Sequence, residues 1–223
     1  MTPNPNYITN PTKITESSFA MIQRELAEQN LVLDPAEAPI VERMIHTTAD
    51  FDFATITKFH GNGIASGIQA LQAGCAVVCD VNMVRVGISA KRIGDFGGSL
   101  HCYVNVNGIY EKAAELENTR SYAGIMMAHE QGLIENGIVV IGNAPTALYA
   151  VIELIEQGVK PALVIGVPVG FISAVESKDD LVARITDVPY ITTLGRKGGS
   201  GVAVAIVNGL LRLAAEQPRS TTD

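Results

Sequence analysis

Residues 137–167 read GIVVIGNAPTALYAVIELIEQGVKPALVIGV and contain the clearest indication of the fold. This stretch begins with a short apolar run, passes through a glycine loop into a longer apolar segment, and ends with a second short apolar run. Short runs of branched aliphatic residues between turn signals predict buried strands, and Pro145 suits the first turn of a helix. We therefore predict strands over residues 137–142 and 162–167, joined by a helix over residues 145–157.

The same alternation extends to both sides of this stretch. Further strands are predicted over residues 76–80, 100–106 and 190–194, and further helices over residues 17–29, 121–131, 173–185 and 201–215. One more helix is predicted to start at Asp34, with Asp34 as its cap, Pro35 in its first turn and Glu37 completing a capping box, and to end near His46. Strands that alternate with helices predict an α/β fold with a doubly wound, mostly parallel sheet and helices on both faces.

Composition narrows the class of protein. A chain of 223 residues with 47% hydrophobic residues suits one domain over residues 1–223, with a polar tail at residues 217–223 that should fray. The net charge of −7 argues against nucleic acid as a partner, and no apolar run approaches the roughly 20 residues of a membrane span. Three cysteines without a secretory signal predict reduced thiols in a cytoplasmic protein, and their spacing offers no metal site.

Three predicted strands run into glycine-bearing loops at residues 142–146, 166–171 and 195–201. In a parallel sheet these loops share the carboxyl edge, where ligands bind. Free N–H groups at helix starts attract anions, and the last loop adds Arg196 and Lys197. We therefore predict an anion-binding rim for a ligand with several widely spaced negative groups. The alternative is that the loops are only structural turns.

His46 is the candidate for chemistry among the four histidines. It ends a predicted helix, where the dipole favours the imidazolium, and Glu42 lies one turn earlier. A protonated histidine near neutral pH can act as a general acid. The alternative is an ordinary helix-end histidine.

A second glycine motif, GNGIASG at residues 61–67, resembles a dinucleotide-binding fingerprint. Its third glycine comes one position late, and the possible strand before it, residues 55–59, is short and contains Lys58. We favour a helix entered through a flexible glycine turn.

Several motifs resemble the precorrin-8X methylmutases of cobalamin biosynthesis, and the match extends over roughly residues 7–215. The motifs are RMIHTTADFD at 43–52, NTRS at 118–121, GNAPTAL at 142–148, GVPVGF at 166–171, ESK at 176–178 and GRKGGS at 195–200. The resemblance implies a flavodoxin-like homodimer without an organic cofactor. It implies an isomerase that moves a methyl group from ring carbon 11 to carbon 12 of a corrin precursor.

The resemblance also assigns roles to individual residues. His46 matches the catalytic histidine, and Ser18, Arg43, Ser89 and Arg120 match substrate contacts. Thr15 departs from the tyrosine of some members. The glycine loops add four substrate-binding candidates, Asn143, Lys197, Gly199 and Ser200.

Two points remain open from the sequence. A corrinoid-binding or carrier protein of the same fold is an alternative to the enzyme. Cobalt, if present, is expected to arrive inside the substrate, and residues 45–52 favour the cobalt-containing precursor.

The homodimer is expected to use the helix that follows Arg120, because Ile125 and Met126-Met127 look too apolar for a free surface.

Overall fold

The computed structural model describes residues 9–218, and these form one mixed sheet with helices on both faces. Its six strands are β1 Thr57–His60, β2 Ala76–Cys79, β3 Ser99–Cys102, β4 Ile138–Ile141, β5 Leu163–Gly166 and β6 Tyr190–Thr193. The spatial order is β1-β6-β5-β4-β2-β3, and only β1 is antiparallel to its neighbour. The parallel strands alone follow the order 2-1-3-4-5, which confirms the doubly wound, flavodoxin-like prediction.

Eleven helices surround the sheet within the described residues. They are α1 Pro11–Glu28, α2 Ala38–Thr48, α3 Phe53–Ile56, α4 Gly63–Gln72, α5 Asn82–Gly87, α6 Ala90–Asp95, α7 Ile109–Glu115, α8 Arg120–Glu130, α9 Pro145–Glu156, α10 Ala174–Arg184 and α11 Ser200–Glu216. No helix within residues 9–218 has the length and apolar character needed to cross a membrane. Residues 219–223 of the predicted frayed tail lie outside the described residues.

Successive residues of a strand point to opposite faces of the sheet, so their side chains pack into two separate cores. Val77 and Val140 belong to the core under α2, α4 and α11, whereas Val78 and Val139 belong to the core under α8, α9 and α10. We call the first side the α11 face and the second the α9 face. This division matters for the site, because candidate residues lie on both faces.

Two helix starts differ from the prediction. α1 begins at Pro11, six residues early, because the Asn10 side chain caps it by accepting from the Lys13 N–H at 3.1 Å. α2 begins at Ala38, four residues late, because Asp34 caps a separate turn through the Ala36 N–H at 2.8 Å. The side chain of Glu37 forms no cap hydrogen bond, so the predicted capping box is wrong.

The sheet ends also differ from the prediction. β3 stops at Cys102, because the chain turns there and the Val106 N–H bonds to the Tyr103 carbonyl. β1 is an antiparallel edge strand, so the glycine motif that follows it lies at the amino edge of the parallel strands. A dinucleotide fingerprint needs a parallel strand before its glycine turn, and this geometry excludes that interpretation.

The apolar residues of α8 are part of the core. Ile125 is 1% exposed and packs in the core of the α9 face, and Met126 and Met127 pack against buried clusters. Ile125 is therefore a core residue, whereas Met126 and Met127 are partly exposed, and the use of this helix by a homodimer stays a prediction. Exposed apolar side chains occur elsewhere, notably at Phe171 and Ile172.

Candidate functional site

The last two turns of α2 carry Arg43 and His46. The helix ends at Thr48 and is capped by Ala49, which adopts a left-handed conformation with φ of 53° and donates its N–H to the Ile45 carbonyl at 2.7 Å. The Thr47 hydroxyl donates to the Arg43 carbonyl at 2.9 Å, one turn earlier in the same helix. These contacts fix the helix end that presents His46.

His46 is exposed, and its ring stacks on Phe19 of α1 with centroids 5.1 Å apart and planes 5° apart. Within residues 9–218 its ring nitrogens have no hydrogen-bond partner, so they are open to a ligand. Glu42, the predicted charge neighbour, instead accepts hydrogen bonds from the Gln23 side chain at 3.2 Å. The ring is therefore held by stacking, while its nitrogens remain available for proton transfer.

Arg43 lines a cavity of about 330 Å³ together with Thr47, Met83, Ser200 and Asn208. Its Nε is buried without a hydrogen-bond partner. Burial lowers the pKa of Arg43, and the nearby charges of Arg212 and Arg92 lower it further. A buried, unpartnered guanidinium nitrogen is costly, so an anion in this cavity would stabilise the site.

Asn208 of α11 fixes the loop that carries Ser89. Its Oδ1 accepts from the Ser89 N–H at 3.1 Å, and its Nδ2 donates to the Gly87 carbonyl at 3.0 Å. Ser89 itself caps α6 by accepting from the Arg92 N–H at 3.4 Å. Asn208 was missed by sequence reasoning, because a single amide within an apolar helix gives no local signal.

Lys197 lies at the carboxyl edge between two aspartates. Its Nζ is 2.5 Å from Oδ2 of Asp50 and 2.5 Å from Oδ2 of Asp52. The hydrogen bond from Lys197 lowers the pKa of Asp50. Lys197, which was predicted to bind a substrate carboxylate, is thus already paired with two carboxylates of the chain. A substrate anion would have to compete with them.

The loop at residues 142–146 is occupied by the chain itself. Asp80, which follows β2, is 2% exposed and accepts from the backbone N–H groups of Gly142, Asn143 and Ala144 at 3.1, 2.8 and 2.8 Å. Burial raises the pKa of this carboxyl, and the backbone N–H groups pull it back down. The N–H groups expected to bind a substrate anion therefore bind an internal carboxylate, although the Asn143 side chain stays exposed.

The loop at residues 195–201 is also shaped by internal bonds. Gly199 has φ of 118° and donates its N–H to the Val167 carbonyl at 2.8 Å, while Ser200 begins α11 and lines the Arg43 cavity. A side chain at position 199 would strain the backbone. Gly201 is the cleaner position for a substitution, because an added Cβ there would lie 3.7 Å from Thr47 Cγ2, in ordinary contact.

The comparisons with known proteins now decide the family. The family profile described as CbiC, precorrin-8X methylmutase, matches residues 13–213. The chain belongs to the precorrin-8X methylmutase family. It is 44% identical to a cobalt-precorrin-8 methylmutase of Leptospira interrogans over 92% of this chain and 94% of the relative.

Further relatives agree with this assignment. A precorrin-8X methylmutase of Pseudomonas aeruginosa is 40% identical over 92% of this chain and 97% of its own. The solved structure of precorrin-8x methyl mutase from Thermus thermophilus has a TM-score of 0.83 and 38% identity, and the match covers 95% of this chain and 100% of that one.

The remaining residues taken from the methylmutase resemblance divide between the two faces. On α1, the Ser18 hydroxyl donates to the Ile14 carbonyl at 2.7 Å, and the Thr15 hydroxyl donates to the Pro11 carbonyl at 3.0 Å. Arg120 begins α8 on the α9 face, where it bonds Asn105 and Tyr110 at 3.1 Å. The fold thus brings Arg43, His46 and Ser200 to the α11 face and leaves Arg120 on the other face.

Lys178 supports the loop at residues 195–201 of the candidate site. It is 0% exposed, and its Nζ donates to the Lys197 carbonyl at 2.9 Å, which also accepts from the Thr193 hydroxyl at 2.9 Å. Burial lowers the pKa of Lys178 to about 8. This buried amine holds the loop that carries Lys197, Gly199 and Ser200.

The lowered pKa of Lys178 predicts a pH-dependent stability. Above pH 8 the unfolded chain keeps a proton that the folded chain has lost, so stability rises with pH up to the ordinary lysine pKa. Relative to Lys178→Met, the wild type should gain about 1–3 kcal/mol of unfolding free energy between pH 7 and pH 10. Urea unfolding of both proteins measures it. The exposed Lys160→Met should show no such trend, and a pH-independent difference for Lys178→Met would contradict the prediction.

Proposed function

We propose that this chain catalyses the methylmutase reaction, in which a methyl group moves from ring carbon 11 to carbon 12 of a corrin precursor. One observation carries the proposal beyond family membership. His46 is exposed, has no hydrogen-bond partner within residues 9–218, and lies one helical turn from Arg43, a residue that lines an open cavity and whose Nε is buried without a partner. A proton donor and an anion anchor therefore stand side by side.

The chemistry needs a proton more than a nucleophile. Protonation of the conjugated ring makes it electron-poor, so the methyl group can migrate as a sigmatropic shift without a covalent enzyme intermediate. His46 can deliver that proton and take it back after the shift, because its ring nitrogens are open, so that the product is an isomer of the substrate. Arg43 stays charged and suits the binding of a substrate carboxylate, but it cannot act as the acid. The chain supplies no organic cofactor in this scheme.

The visible spectrum of the substrate tests the proposal. A methyl shift changes the conjugated system, and the absorption bands should move with time in proportion to enzyme concentration. A non-catalytic corrinoid-binding or carrier protein would instead give a small, immediate and stoichiometric change. An unchanged mass together with a nuclear magnetic resonance spectrum that places the methyl group on carbon 12 would identify the product as the isomer.

We also propose a homodimer whose partner supplies Arg120. Arg43 and Arg120 lie on opposite faces of one sheet, and Arg120 of a second copy would add a guanidinium to the α11 face. A loop with exposed Phe171 (79%) and Ile172 (85%) offers an apolar patch that a second copy could cover.

The composite site makes a quantitative prediction. His46→Ala and Arg120→Ala should each be nearly inactive alone. Mixed after unfolding and refolding, they should regain about a quarter of wild-type activity, because half of the dimers are hybrids with one intact site. Sedimentation equilibrium of the wild type should give the mass of two chains, and Phe171→Asp should lower it. A single-chain mass at micromolar concentration, or no recovery on mixing, would contradict the dimeric site.

We propose that the natural substrate already contains cobalt. Relatives named cobalt-precorrin-8 methylmutase reach 44% and 43% identity, and a relative named precorrin-8X methylmutase reaches 40%. Within the described residues no group of three or more His, Cys, Asp or Glu side chains could hold the metal, so cobalt would enter with the macrocycle. Competition between the two precursors in one assay tests this, and preference for the metal-free compound would overturn it.

We place the enzyme in the cytoplasm as part of the same proposal. Cys75, Cys79 and Cys102 are free, which suits a reducing compartment.

A further inference from the structure

Two contacts at successive helical turns join α1 to α2. The Phe19 ring stacks on the His46 ring, and one turn further along α1 the Gln23 amide bonds the Glu42 carboxylate. Positions 19 and 23 share one face of α1, as positions 42 and 46 share one face of α2. These two contacts form a ladder along the interface, and α1 is anchored beneath it by buried Ile22 and Leu26. The anchoring means that the Phe19 ring is held in place as a fixed surface.

The stacking restricts the motion of the His46 ring. Planes that differ by 5° with centroids 5.1 Å apart form the offset stack that aromatic pairs prefer. An exposed histidine without this contact would exchange among side-chain rotamers. Phe19 covers one face of the imidazole, and so a ligand can reach the ring only through its edge or its opposite face.

We infer that Phe19 is a positioning residue for the methyl shift. It holds the imidazole plane of His46 so that a ring nitrogen is directed at the bound macrocycle. Small errors in the placement of a proton donor reduce the rate strongly, because the reacting atoms must be aligned before transfer. The inference rests on the proposed function of His46 as the acid, and it adds a residue to which neither the motifs nor the family resemblance gave a role.

Three variants of α1 test the inference. Phe19→Leu removes the ring and keeps an apolar side chain, and it should lower kcat about tenfold with KM within about twofold of the wild type. Phe19→Tyr restores the stack and should restore kcat. Met21→Leu, at a 52% exposed position of the same helix, controls for substitution in α1 and should leave both constants unchanged.

Nuclear magnetic resonance gives a readout that does not depend on turnover. The ring protons of His46 feel the ring current of Phe19, so their resonances should move in Phe19→Leu and stay near the wild-type positions in Phe19→Tyr. A thermal unfolding scan of each variant shows whether the fold is retained. Loss of kcat with a native fold and moved resonances is the expected result.

The outcomes separate this inference from the proposed function. If His46→Ala is inactive while Phe19→Leu keeps full kcat, the assignment of His46 as the acid is upheld and Phe19 has no positioning role. Equal losses of kcat in Phe19→Leu and Phe19→Tyr would also overturn the inference, because the stack would then not explain the loss. If His46→Ala turns over normally, the acid assignment fails and the inference fails with it.

Discussion

Replacement of His46 by alanine should lower kcat by about 10²–10⁴-fold while substrate or product still binds. The ring nitrogens of His46 are open, and Arg43 with its cavity remains to hold a carboxylate. Single-turnover absorbance measures the chemical step, and equilibrium titration with product measures binding. His129→Ala is the matched control, because His129 lies in α8 on the α9 face. Normal turnover in His46→Ala, or loss of binding alone, would make His46 a contact residue.

The dependence of kcat on pH compares the two proteins. A fall of kcat with rising pH that is present in the wild type and absent from the residual activity of His46→Ala would assign the proton donor to His46. A fall that persists unchanged in the variant would assign the acid to another residue.

The second large effect is expected at Asp80. Alanine at this position would remove the acceptor of the N–H groups of Gly142, Asn143 and Ala144, the first of them buried and the other two partly buried. The free energy of unfolding should fall by about 3–5 kcal/mol, since three hydrogen bonds to one carboxylate are lost together. Urea unfolding measures the loss.

Two further variants make the Asp80 result interpretable. Asp80→Asn keeps one carbonyl oxygen as an acceptor and should cost about 1–2 kcal/mol. Asp187→Ala removes an exposed carboxylate paired with Lys160 at 3.8 Å and should change stability by less than about 1 kcal/mol. An Asp80→Ala protein as stable as Asp187→Ala would show that the N–H groups find other partners.

The sequence predicted the parallel core well because its signal is local. β4 and β5 are buried along their whole length. The branched aliphatic runs of residues 138–141 and 163–166 predict this burial by themselves, whichever strands lie beside them. β1 lacked such a signal, because its four residues gain their place only by pairing with β6, which lies more than a hundred residues away. α1 was predicted too short because the residues at its start are exposed. An exposed turn has no buried face, so it shows no periodic apolar pattern from which a helix could be predicted.

The site was predictable to the extent that its residues share one segment. Arg43 and His46 lie a turn apart on α2, so one motif located both. Other residues act through partners that are distant in the sequence, and no local pattern encodes such pairings. Phe19 contacts a residue 27 positions away, and Asp80 bonds residues 62 to 64 positions away. Asn208 bonds residues 119 to 121 positions away. The pairing of Lys197 with Asp50 and Asp52 of another loop was equally hidden from local patterns, and substrate binding by Lys197 stays a prediction.

The Asp80 bridge also decides which ligands this edge of the sheet can accept. Sheets of this topology commonly bind phosphate-bearing ligands at the crevice between the two strands where the strand order reverses, here β2 and β4. In this chain the N–H groups of Gly142, Asn143 and Ala144 are already bonded to the Asp80 carboxylate. A nucleotide phosphate would have to displace that carboxylate, so the crevice is closed to nucleotides from within, and the α2 and α11 surface is the side left for an anionic ligand.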